Sequence, residues 1–158
     1  MKIDSLNIRN IKLLMDRYGY YFYLIKRVPG TTCSCVNRTT KDPDANCKKC
    51  LGLGSKIKIF KVYGMIRETN DYEASIAQNI SSTPKVVYLL GMVRVNKDDI
   101  VIDNEDIYHV LHIQHHKGEH GEFAFTRLTC PFIKGNDTII IKNFKELYNE
   151  YHNKKKRP

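Results

Sequence analysis

Four of the five cysteines in this 158-residue chain stand close together as two short pairs, Cys33-Ser-Cys35 and Cys47-Lys-Lys-Cys50. Eleven residues separate the pairs. Two knuckles joined by a polar loop are what four thiolates need to converge on one tetrahedral ion, and a structural Zn2+ is the expected occupant. Gly52 and Gly54 fit the exit of the second knuckle, where the chain turns sharply and positive φ is useful. The first pair is the unusual one, because C-x-C leaves less chain to wrap a metal than C-x-x-C. A disulfide pair and a set of free buried thiols are the competing readings. If zinc is bound by Cys33, Cys35, Cys47 and Cys50, no coordination position stays open, so the expected role is structural and not catalytic. Cys130, in Leu128-Thr-Cys130-Pro131-Phe132, reads as a buried apolar thiol at a strand end.

Little else in the chain has the spacing of chemistry. His109 and His112 fall on opposite faces of one strand by period-two geometry. His115, His116 and His120 surround a hairpin turn, where solvated imidazoles are the ordinary reading. The acidic run Asp98, Asp99, Asp103, Glu105 and Asp106 lacks the glycine and glutamate positions of a calcium-binding loop and reads as turn residues. There is no phosphate-cradling glycine loop, no nucleophile elbow and no HExxH. The expectation is that the chain is not an enzyme.

Charge is more informative in its distribution than in its total of +9. Residues 1–68 hold 14 basic and 5 acidic residues, and residues 69–153 hold 8 and 12. The end, Lys154 to Arg157, adds four positives. Such polarity suits nucleic acid, or a basic side of one copy meeting an acidic side of the next. No run is apolar and long enough to span a bilayer, and residues 1–19 do not read as a signal peptide. The expected setting is a reducing cytosol, where clustered cysteines favour metal over disulfides.

The elements that must position the cysteines can be read in order. Leu6, Ile11, Leu14, Met15 and Tyr18 predict an amphipathic helix over 5–18, capped by Asp4 or Ser5 and ended at Gly19. Tyr20 to Val28 predicts an aromatic strand and Ser55 to Arg67 a second, so residues 29–55 form an inserted loop carried between two strands. Residues 70–82 are ambiguous. Strands follow at Lys85 to Val95, Ile100 to Ile102, Ile107 to Ile113 and Phe123 to Phe132, with a short one at Ile139 to Ile141. The Gly118–Gly121 turn joins the third and fourth of these. Asn143-x-x-Glu146 predicts the capped start of a final helix using Phe144, Leu147, Tyr148 and Tyr151. Residues 154–158 read as a flexible basic tail. The expected fold is a single α+β, mainly β domain over 1–158. It is a small barrel or sandwich with a helix at each end and a zinc-stapled hairpin loop.

Cys47-Lys-Lys-Cys50-Leu-Gly52-Leu-Gly54 resembles the repeated motif of bacterial chaperone zinc domains, but those carry several copies. The chain more closely resembles the small neck proteins of tailed bacteriophages, the connector, adaptor and stopper family. That likeness rests on a helix, the aromatic strand Tyr20 to Val28, Cys33 and Cys35 with Asp42-Pro43-Asp44, and then Cys47 to Gly54. The segment from Asp99 to Tyr108 also looks like a strand–turn–strand of connector barrels. The resemblance implies a structural virion protein in a ring at the head–tail junction. Its implied partners are portal and tail-tube proteins and copies of itself, with non-specific contact to packaged DNA and none to membrane. The alternative is a zinc-ribbon regulator that binds nucleic acid through its basic half; an arginine-rich helix near the metal would favour it.

Overall fold

A computed structural model describes residues 5–68, 85–104, 106–117, 124–130 and 137–155. The sequence-predicted segment 70–82, the cap at Asp4, the Gly118–Gly121 turn with His120, and residues 156–158 lie outside these. The described chain is mainly β with two helices, and its seven strands form one curled antiparallel sheet, a half-barrel. The elements are α1 (Ser5–Tyr18), β1 (Tyr20–Arg27), β2 (Ile57–Glu68), β3 (Lys85–Leu90), β4 (Ile100–Asp103), β5 (Asp106–His109), β6 (His112–Lys117), β7 (Ala124–Cys130) and α2 (Asp137–Lys155). Strand order is β5-β4-β1-β2-β3-β7-β6. The chain groups into two compact units, residues 1–26 with 59–133, and residues 27–58 with 134–158. Among the described residues, no helix is long and apolar enough to cross a membrane.

The first unit contains most of the sheet. Phe22 and Leu24 of β1, Val87 and Leu89 of β3, Val101 of β4, Tyr108 of β5 and Leu128 and Cys130 of β7 form one buried cluster, joined by Val95 and Val110. Residues two apart along each strand share a face, which is why these pairs recur with period two. Ile100 and Ile102 are also buried, on the other face of β4. The Gly19 amide closes the end of α1 on the Met15 carbonyl at 2.8 Å, and the Tyr63 hydroxyl of β2 donates to the same oxygen at 2.9 Å, tying the helix end to β2.

Two expected strands differ. Lys85 to Val95 stops at Leu90, because the chain turns at Gly91 with φ +81°. There the buried Thr126 hydroxyl donates to the Gly91 carbonyl at 2.9 Å and accepts from the Val93 amide at 3.0 Å. The continuous strand expected over Ile107 to Ile113 is two strands on opposite edges of the sheet. Backbone bonding changes partner at one peptide: the Val110 amide donates to the Asp99 carbonyl at 2.9 Å, and the Leu111 amide to the Thr129 carbonyl at 2.9 Å. His109 and His112 therefore end and begin different strands.

That corner accounts for the curl. From His109 to His112 the chain can reach at most about 11 Å. Seven flat strands would put the edges about 29 Å apart at the usual strand spacing. With Val110 and Leu111 as the whole connection, the sheet must bend until β5 and β6 approach each other at this end.

The last expected strand is also absent. Ile139 to Ile141 lies inside α2, which begins at Asp137, so Asn143 is an interior helical residue and not a cap. Ile140, Asn143 and Phe144 are buried together at i, i+3 and i+4. Burial of that helical face outweighs the strand preference of three isoleucines. The helix continues through Lys154 and Lys155.

Candidate metal centre

The second unit is built by the loop between β1 and β2 together with α2. The loop is closed at its base by the Val28 amide on the Lys56 carbonyl at 2.8 Å. The Thr31 hydroxyl stitches the same base, donating to the Val28 carbonyl and accepting from the Lys56 amide. Arg27 holds the returning strand, donating from Nε to Ser55 Oγ and from Nη2 to the Leu53 carbonyl, both at 3.1 Å. Polar side chains shape the tip. Asn37 Oδ1 accepts from the Thr39 and Thr40 amides, and Asp44 Oδ1 from the Asn46 amide, the local turns these residues favour.

Within this frame the two knuckles face each other. The Cys33 amide donates to the Gly54 carbonyl at 2.8 Å, linking the start of one knuckle to the exit of the other. The Gly52 amide returns to the Cys47 carbonyl and the Leu53 amide to the Cys50 carbonyl. Gly52 and Gly54 have φ of +80° and +75°, as their positions predict. The turn is tight enough to put Leu51 at φ +55° as well, a conformation that costs a branched residue and that its complete burial offsets.

The structure brings all four sequence-predicted ligands together. The sulfurs of Cys33, Cys35, Cys47 and Cys50 all lie within 4.8 Å of one another. Cys33 Sγ is 3.8 Å from Cys47 Sγ and Cys35 Sγ is 3.5 Å from Cys50 Sγ. Four sulfurs on a tetrahedron with bonds of about 2.3 Å to a central ion are about 3.8 Å apart. The arrangement is thus compatible with a metal ion held by four thiolates. The close approaches run between the knuckles, and all five cysteines are free thiols, so no disulfide pairs them.

Electrostatics show what such a cage needs. Burial pushes the Cys35 thiol up to about 12, and burial also raises Cys50. Cys33 is lowered to about 7, chiefly by a main-chain hydrogen bond from Cys35. Main-chain donors at Asp44 and Gly54 act in the same direction on Cys35 and Cys50. The backbone therefore stabilises negative charge on the sulfurs while burial opposes it. Four thiolates in so small a space require a compensating cation.

Among the described residues no other group of His, Cys, Asp or Glu converges as these four do. His115 Nδ1 is 3.1 Å from Thr126 Oγ1, and His116 stacks on Phe125. Cys130 is fully buried and pushed up to about 12 by that burial, an inert thiol. In the acidic run, Asp99 is buried and accepts from the Asn96 amide at 2.7 Å. Asp103 accepts from the Tyr20 hydroxyl and Asp106 from the Tyr108 hydroxyl. The sequence predicts the final helix but not its contact with the cysteine loop, where Asn143 reaches Ala45 between the knuckles and Glu146 reaches Lys48 within the second; Asn143 within an apolar stripe was the available signal.

No protein-family model and no curated protein matches the chain.

Proposed function

We propose that this chain is a structural protein of a tailed-phage virion, one copy of a ring in the neck that joins portal to tail, with Zn2+ bound by Cys33, Cys35, Cys47 and Cys50. The observation that carries the reading is the order in which residues 5–68 are built: α1, the aromatic strand β1, the four-cysteine loop and β2. The resemblance to neck proteins rests on that same order. A four-sulfur set offers no open position to a substrate, which supports a scaffolding role. The half-barrel ends in two edge strands, β5 and β6, and open edges suit assembly. A ring needs heterologous contacts, and opposed basic and acidic stretches favour head-to-tail order over like-with-like pairing. On this reading the protein resides at the head–tail junction, contacts portal and tail-tube proteins, and touches packaged DNA non-specifically.

The second reading is a zinc-ribbon regulator that binds nucleic acid. It draws on two cation–aromatic pairs, Lys61 over Tyr21 and Arg17 over Tyr18, with both tyrosines exposed. Against it, the helix in the metal-bearing unit contains no arginine, where a recognition helix would concentrate them. Mass spectrometry and electron microscopy of purified particles decide between the two. Presence at the neck in ring stoichiometry is the expected result. Abundance in infected cells, absence from particles and tight sequence-selective DNA binding would give the case to the regulator. Metal analysis separates zinc from iron, which also accepts four thiolates.

A further inference from the structure

We infer that Asn143, in the middle of α2, is a positioning residue for the metal centre: its buried amide holds the Ala45 carbonyl and thereby the chain that enters Cys47. The inference rests on the reading that the four cysteines bind a metal.

Asn143 sits between Ile140 and Phe144 on the buried stripe of the helix and is itself only 2% exposed. Burying an amide without partners is unfavourable, so a polar residue in such a stripe needs a specific contact. The contact spans 98 positions in sequence: Nδ2 donates to the Ala45 carbonyl at 2.8 Å. Ala45 lies two residues before Cys47. Its carbonyl oxygen also faces Gly52, two residues after Cys50, so closely that a Cβ there would lie 2.8 Å from it. One carbonyl thus meets the helix on one side and the exit of the C-x-x-C knuckle on the other. If that carbonyl shifts, the approach to Cys47 and the path leaving Cys50 shift with it.

One turn further along α2, Glu146 pairs with Lys48 at 3.0 Å. Both side chains are exposed, 39% and 46%, so this pair orients the helix while holding little energy. The asymmetry separates a positioning contact from a decorative one. Groups that orient the residues around a metal typically change its affinity by about 10–100-fold when removed.

The experiment titrates the full chain with Co2+ alone, following thiolate-to-metal charge transfer and ligand-field bands. Wild type is compared with Asn143→Asp, which keeps the shape but replaces the donor with an acceptor at neutral pH, and with Glu146→Gln. The expected result is tetrahedral four-sulfur Co2+ in all three, with affinity about 10–100-fold weaker in Asn143→Asp and within about threefold of wild type in Glu146→Gln. Equal affinity in Asn143→Asp and wild type would overturn the inference and leave the metal reading intact. No Co2+ binding by wild type would overturn both. Should Asn143→Asp not fold, hydrogen exchange on wild type decides: chelation should speed exchange over 141–149 and leave β3 and β7 unchanged. Unaltered protection of α2 would sink the coupling.

Discussion

The imidazole of His116 lies stacked on Phe125, ring centroids 4.6 Å apart and planes 17° from parallel. The two residues are direct cross-strand partners in the β6–β7 pair. His116 Nε2 is buried and has no hydrogen-bond partner among the described residues. Burial lowers its pKa from the usual value, and the charges of Arg127 and His115 add to the effect. The folded protein therefore prefers neutral His116, while the unfolded chain takes up its proton near pH 6.5.

Stability at this site is therefore present above pH 6.5 and declines as pH falls from there through the lower folded-state value. Melting temperatures from pH 7.5 to 5.5 should fall more steeply for wild type than for His116→Phe, which keeps the stack and cannot titrate. A gap between the two proteins that does not change with pH would refute this.

The four cysteines should behave as a set and the fifth should not. Cys47→Ser should remove the bound metal, about one equivalent per chain. Cys130→Ala should leave metal content unchanged, although it costs folding stability through a lost buried side chain. Elemental analysis after desalting reads both. Equal metal in the two variants would end the assignment.

Gly64 is the one position in β2 where a side chain has no space. A Cβ there would collide with the Tyr88 carbonyl of β3 and lie 3.1 Å from the Phe22 ring. The collision involves backbone, so Gly64→Ala must spread the β2–β3 pair, with Phe22 giving way as well. Such overpacking costs about 1–3 kcal/mol, which urea titration should show as a lower midpoint. An unchanged midpoint would mean the pair yields freely.

Much of this was legible because it is local. The two knuckles, the glycines with positive φ and the aromatic strand between a helix and the cysteine loop all follow from spacing and residue type within a few positions. The failures concern residues whose partners are distant. Ile139 to Ile141 has strand composition, yet its burial with Phe144 makes it helix. Asn143 has the spacing of a cap, but its partner is Ala45, far back in the chain. Ile107 to Ile113 alternates like one strand, and nothing local marks the peptide where hydrogen bonding passes from Asp99 to Thr129. Placing residues 27–58 with the C-terminal helix is likewise a fact about packing, invisible to patterns read along the chain.

The two-residue link at Val110–Leu111 implies that the curvature of the sheet is recorded as a chain length. Edge strands of a closed barrel are kept together by hydrogen bonds, so changing the radius means rewriting whole ladders. Here a tether sets the gap, and each residue inserted beside Val110, which keeps its own place in the core, would lengthen its reach by about 3.3–3.6 Å. Insertions and deletions at this corner thus offer descendants of the sequence a graded series of wider and narrower half-barrels. The width of the half-barrel can change by counting residues, one at a time, at a single place.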